Sequence, residues 1–250
     1  MRPTPLAILG IAAYLISLAA TVPVRWLAAR LVAAAPGRYE VHAMNGTLWR
    51  GDAQAVLNAP GGTLVVDRVE WKFVPARLLQ GRLAFAIEVK GAGFEARYEA
   101  GRSLSGWGLR DLSVRADAAL ATAALPLVGR WRPEGSVSVA APALDVSGDD
   151  IRGDATIEWK AAATTLSEVR PLGSYRAEVS ADGPGAKLSV ATLEGPLRMT
   201  GQGRLEWPTR LTFTGEARGE GPNAAALNPL LDILGPARPD GARALDVRWR

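Results

Sequence analysis

The sequence predicts a mainly β protein: a single N-terminal transmembrane helix, then a large, mostly antiparallel, curved β-sheet or sandwich-like domain with a few short helices. Three observations predict it. An uncharged apolar run fills the start of the chain, a two-residue alternation of apolar and polar side chains dominates the remainder, and glycine-rich turn signals separate the alternating runs.

The apolar run extends from Leu6 to Val24, with no charged side chain between Arg2 and Arg25. At the helical rise it reaches roughly 28 Å, close to the hydrocarbon thickness of a bilayer. Leu6, Leu9, Ile11, Leu15, Ile16, Leu18 and Val22 supply its apolar surface. A cleaved signal peptide also starts basic and apolar, and Ala19, Ala20 and Thr21 would suit a cleavage site. The run is longer than the usual signal core, however, and continues into Trp26, Leu27, Leu31 and Val32, which favours an uncleaved anchor. Arg25 and Trp26 then sit where basic and aromatic groups collect at headgroups. Residues Val24 to Ala35 read as a helical extension stopped by Pro36-Gly37. Arg25, Arg30 and Arg38 outnumber Arg2 plus the amino terminus, so charge alone favours a cytoplasmic body, but long domains cross largely regardless of this count. The division expected is 1–36 for tip, anchor and extension, and 37–250 for the β-domain.

After residue 37 the period changes to two. In Arg68 to Phe73 the apolar set is Val69, Trp71 and Phe73, and in Leu83 to Val89 it is Leu83, Phe85, Ile87 and Val89. Leu197, Met199, Leu205 and Trp207 share a face, as do Leu211 with Phe213 and Leu245 with Val247 and Trp249. Charged and hydroxyl residues take the alternate positions, the pattern of antiparallel strands with one wet face. Turns are expected at Pro60-Gly61-Gly62, Gly91 to Gly93, Ser147 to Asp150, Asp182 to Gly185 and Glu220 to Pro222. This gives roughly ten to twelve strands. Helix is expected only at Pro75 to Leu79, Asp117 to Val128 and Asn223 to Leu234, with Pro229 interrupting the last and Asn228 capping its second part.

Composition excludes several chemistries. The net charge of +4 is spread out, with no basic block interleaved with aromatics, so no nucleic-acid surface is expected. There is no cysteine, which removes disulfides, thiolate metal sites and thiol nucleophiles. The single histidine, His42, lies in a strand-like stretch where a surface or packed role is the ordinary one. Asp149-Asp150 sits between glycines and reads as a turn, and Gly101 to Gly108 lacks the lysine and hydroxyl of a phosphate loop. No catalytic residue, cofactor or metal is therefore expected. Of the eight tryptophans, seven (all but Trp26) fall at apparent strand ends, either anchoring a core or lining a trough for an acyl chain or a partner strand.

Short phrases recur. Val69-Glu70-Trp71-Lys72 is echoed by Ile157-Glu158-Trp159-Lys160, and Arg50-Gly51-Asp52-Ala53 by Arg152-Gly153-Asp154-Ala155. Either β-strands of limited composition reuse the same words, or two similar halves exist at about 37–118 and 134–250.

Gly46-Thr47-Leu48-Trp49-Arg50-Gly51, Trp71, and Pro75 through Gly81 resemble the opening half of the type II secretion system protein N family (general secretion pathway protein N). Gly173-Ser174-Tyr175, Gly195-Pro196-Leu197, Gly201 through Trp207, and Leu230 through Gly235 resemble its second half. The resemblance implies a single-pass protein of the bacterial inner membrane with its β-domain in the periplasm. It implies a non-enzymatic accessory part of the machine that exports folded proteins across the outer membrane, with other secretion components as partners. The family also looks distantly similar to AsmA-type proteins, whose sheets curl into a groove for lipid, which makes a lipid-binding or lipid-bridging protein of the cell envelope the alternative, with lipid as its partner.

Overall fold

The computed structural model describes residues 37–59, 61–124, 131–206 and 210–249. The expected anchor residues, the Val24 to Ala35 extension and Trp207 lie outside them. Among the described residues no helix is long and apolar enough to cross a membrane.

One sheet of thirteen strands makes up the body, and every neighbour in the sheet is a neighbour in sequence. In order these are β1 (Tyr39–Gly46), β2 (Arg50–Ala59), β3 (Gly62–Phe73), β4 (Leu83–Gly91), β5 (Phe94–Ser103) and β6 (Gly106–Asp117). They continue as β7 (Glu134–Ser147), β8 (Asp150–Ala163), β9 (Gly173–Gly183), β10 (Gly185–Glu194), β11 (Leu197–Glu206), β12 (Arg210–Gly219) and β13 (Arg243–Trp249). All junctions are antiparallel. The sandwich alternative is thereby corrected: each hairpin returns beside its predecessor, so no strand crosses to a second sheet. The count also exceeds the ten to twelve expected: alanine- and glycine-rich β5 and β10 pair with both neighbours, each with one register shift.

Register keeps the alternation in phase across the sheet. Ala53, Val69, Val89, Ala96, Val114, Val139, Ile157, Ala177, Val190, Gly201, Gly215 and Leu245 are successive cross-strand partners from β2 to β13. The row beside it runs Asp52, Glu70, Glu88, Arg97, Ser113, Ala140, Thr156, Glu178, Ser189, Gln202, Thr214 and Asp246. One face is therefore apolar and the other polar over roughly 50 Å of sheet width at the usual strand spacing. A one-residue slip anywhere would invert this, so the apolar face itself holds the register. Sheets of this strand number curl. Here α1 (Ala121–Ala124), which follows β6, reaches back to touch β3.

The strands run between two ends of the sheet. The proximal end, where Tyr39 starts β1, carries the connections after β2, β4, β6, β8, β10 and β12; the distal end carries the others. Among the described residues, all helix except the 3-10 turn Pro75–Gln80 is proximal. There α2 (Asn228–Leu234) lays Leu230 and Leu231 on β11–β13, joined by Leu227 and by Val169 and Leu172 of the β8–β9 connection. Leu197 and Ala217 from the apolar face complete this core, with Met199, Leu245 and Trp131 around it. Asn228 does not cap the helix as expected. It lies within the first turn, after Leu227, because the preceding 3-10 turn Ala225–Leu227 already supplies helical backbone. Of the helix expected over Asp117 to Val128, the described part is a 3-10 turn at Ala118–Leu120 followed by α1.

Candidate binding face

The apolar face is a single layer over most of its width. Between β3 and β10 its side chains, such as Ile87, Val114, Ile157 and Leu188, are half-buried by their neighbours in the sheet. Helical connections cover it only at the proximal end. At the distal end Leu83, Trp107, Val146 and Val247 stay exposed.

Aromatic residues reinforce the face. Trp49, in the β1–β2 connection, meets Phe73 edge-on at 4.8 Å between ring centroids and stacks near Phe85 at 6.4 Å. Trp71 donates from Nε1 to the Thr47 carbonyl at 3.1 Å, and Trp159 donates to the Glu134 carbonyl at 2.9 Å while packing on Tyr175. Trp71 and Trp159 thus act as packed anchors with a satisfied N–H. Trp107, by contrast, is 57 % exposed, with the Arg102 guanidinium 5.0 Å from its ring centroid.

Apart from Gly81, where only the left-handed backbone favours glycine, the glycines singled out from sequence sit where a side chain would strike its neighbours. Gly46 faces Gly51 across the β1–β2 ladder, and a Cβ on Gly51 would run into the Trp71 ring. Thr47 N–H closes this turn on the Arg50 carbonyl at 2.9 Å, Leu48 is half-buried beside it, and the Trp49 carbonyl accepts from Phe73 N–H at 2.7 Å. Pro75 opens the 3-10 turn and left-handed Gly81 closes it. Gly173 and Gly195 touch: a Cβ on Gly195, whose φ is +114°, would land on Gly173 Cα. That contact lets Leu197 N–H donate to the Leu172 carbonyl at 3.0 Å and Tyr175 Oη to the Leu197 carbonyl at 3.0 Å. Gly201 and Gly203 leave the space that the Phe213 ring fills, Gly215 packs on Gly201 and the Thr200 carbonyl, and Gly235 lies against the Ala244 carbonyl. The two quoted groups of motifs therefore form two interlocked backbone junctions, one distal at β1–β3 and one proximal at β8–β12.

With that geometry in place, a family model settles the kinship: the one described as type II secretion system (T2SS), protein N matches residues 37–246. The chain belongs to this family. No curated protein and no solved structure matches it. A protein N family member is a component of the type II secretion machinery and is not of a known enzyme family.

The polar face of this protein N family member is lined with ion pairs, including Arg97–Glu88, Arg115–Glu95 and Arg176–Glu158. Arg176 and Lys160 hold the Glu158 carboxyl below the usual range through hydrogen bonds. On the same face near the distal end is a cleft of about 380 Å³. Gly101 and Gly108 face each other beneath it, and Arg110 spans it to donate to both Asp145 oxygens at 2.7 and 2.8 Å. Beside it Arg77 holds Glu99 at 2.7 Å, and that partner raises the guanidinium's proton affinity. These acids are consumed by arginine pairing. His42 is exposed beside a bulge of β1, and Asp149 and Asp150 form the β7–β8 hairpin. Among the described residues no group of three acidic or histidine side chains could hold a metal. Sequence reasoning missed the Arg110–Asp145 pair, since the residues are far apart in sequence and only the β6–β7 register joins them.

Proposed function

We propose that the chain is a non-enzymatic assembly subunit of the type II secretion system, held in the inner membrane by Leu6 to Val24, with its sheet in the periplasm docking other secretion components. The observation that carries this is the family match over 37–246, together with a polar face of charged pairs open across the sheet. Exposed ion pairs add little to stability, so their regular array on one face suits recognition of partners better than holding the fold. A strand of about twelve residues, such as β6, places the distal end up to about 40 Å from the proximal end, a reach suited to contact across an intervening space. Deleting the gene should reduce the appearance of type II substrates outside the cell, with restoration by the full chain. Unaltered export in the deletion strain would count against the reading.

A second reading is favoured by the single-layer apolar face: a module that holds lipid. Backbone groups inside the sheet are already paired, so a peptide laid on that face would leave its own amides unpaired. An acyl chain brings no such groups. Native mass spectrometry of the full chain released from detergent tests this, with co-purifying phospholipid expected and a lipid-free protein contradicting it.

A further inference from the structure

The distal end presents apolar side chains on connections that are held by hydrogen bonds and an ion pair. Leu79 is 93 % exposed and Leu104 108 % exposed. Leu79 belongs to the 3-10 turn, which Gly81 closes with N–H to the Leu78 carbonyl at 2.9 Å and which Arg77 ties to Glu99 of β5. Leu104 tops the hairpin in which Ser103 faces Gly106. The two connections are neighbours, because Leu83 at the start of β4 pairs with Arg102, and Arg102 with Trp107. Leu78, Leu83, Trp107 and Val146 are also exposed at this end, and exposed apolar side chains gathered in one place mark a contact surface.

Charge identifies the partner of that surface. Residues 74–83 and 101–110 carry four arginines and no carboxylate of their own: Arg77 is paired with Glu99, Arg82 and Arg110 share the single carboxylate of Asp145, and Arg102 has no carboxylate partner among the described residues, which leaves a cationic surplus. Trp107 lies below the leucine tips with Arg102 over its ring, the arrangement of an aromatic and a cation at a headgroup boundary. The next distal connections, with Asp149, Asp150 and Asp182, are acidic, so the arrangement is confined to β3–β6. We propose that this end is a lipid-contacting surface: Leu79 and Leu104 enter the acyl boundary of an anionic phospholipid layer while Arg82, Arg102 and Trp107 lie among its headgroups. Two single leucines on separate tight turns suit a fluid surface, whereas a protein groove would be matched by a continuous row on one helix or strand. The proposal stands whether or not the chain serves secretion.

The chain has no cysteine, so one introduced thiol carries one label. Leu79→Cys, Leu104→Cys and, as a control on the polar face, Ser180→Cys are labelled with an environment-sensitive fluorophore in the full chain. Each is reconstituted into vesicles without bromine, which are then mixed with separate phosphatidylethanolamine–phosphatidylglycerol vesicles that carry brominated acyl chains. Emission from positions 79 and 104 should fall on the order of twofold, as for groups at the acyl boundary, and that from 180 should not. Arg82→Glu with Arg102→Glu should abolish the quenching at 104 while the tryptophan emission of the fold is retained. Labels at 79 and 104 no more quenched than at 180 would overturn the proposal. So would a response at 104 that requires added secretion proteins, since the receptor would then be a protein.

Discussion

Replacing Gly195 by alanine probes the junction on which the second half of the sheet closes. At φ +114° a non-glycine residue is strained by about 1–3 kcal/mol before any contact is counted. The new Cβ would also meet Gly173 Cα and the Leu172 carbonyl, neither of which can move without the backbone. Separating them breaks the Leu197 N–H to Leu172 bond and threatens the buried Tyr175 hydroxyl bond to Leu197, at about 1–3 kcal/mol for a buried group left unpaired. The expected total is about 3–5 kcal/mol. Gly148→Ala is the control: φ is +60° but nothing lies within 4 Å, so about 1 kcal/mol is expected. Urea unfolding of the full chain in detergent, followed by tryptophan emission, measures both. A Gly195→Ala loss no larger than that of Gly148→Ala would refute the interlocked-junction reasoning.

Leu230→Ala should cost about 3–4 kcal/mol, read from the same unfolding midpoints, because Leu230 is 2 % exposed under α2 and leaves a cavity against β11–β13. Trp71→Phe keeps the ring on the face but removes the Nε1 bond to Thr47, and should lower stability by about 1 kcal/mol. Burial raises the Tyr175 phenol above the ordinary tyrosine value. The folded state therefore holds that proton more tightly than the unfolded one, and the associated stability is present below about pH 10 and falls away above it. Tyr175→Phe should flatten that alkaline decline, seen in unfolding midpoints across pH. Glu158 has the opposite sign: arginine and lysine partners lower its carboxyl, so its contribution is present at neutral pH and lost as acid protonates it, and Glu158→Gln should make acid unfolding less steep.

Much of the fold is legible because one physical rule governs it. Val69, Trp71 and Phe73 alternate with Arg68, Glu70 and Lys72, and burying one set fixes strand, face and register together. Gly91 to Gly93 and Ser147 to Asp150 mark hairpins because a chain must reverse within a few residues there. What alternation does not reveal is the number of layers: a sheet folded on itself and two packed sheets ask the same of each strand. Nor does it distinguish β5, whose alanines and glycine carry weak strand preference, or join Arg110 to Asp145, which meet only after β6 and β7 pair. The glycine motifs were legible as words but not as contacts, since the touch of Gly173 and Gly195 depends on two connections arriving at one place.

The most direct test of the account is site-specific photocross-linking in cells that export type II substrates. A cross-linker on the polar face, at Glu178 or Gln202, should capture other components of the secretion machinery, while one on the apolar row at Val139 or Ile157 should not. Capture of those components from the apolar row alone, or from neither face, would contradict a secretion subunit that docks through its polar side.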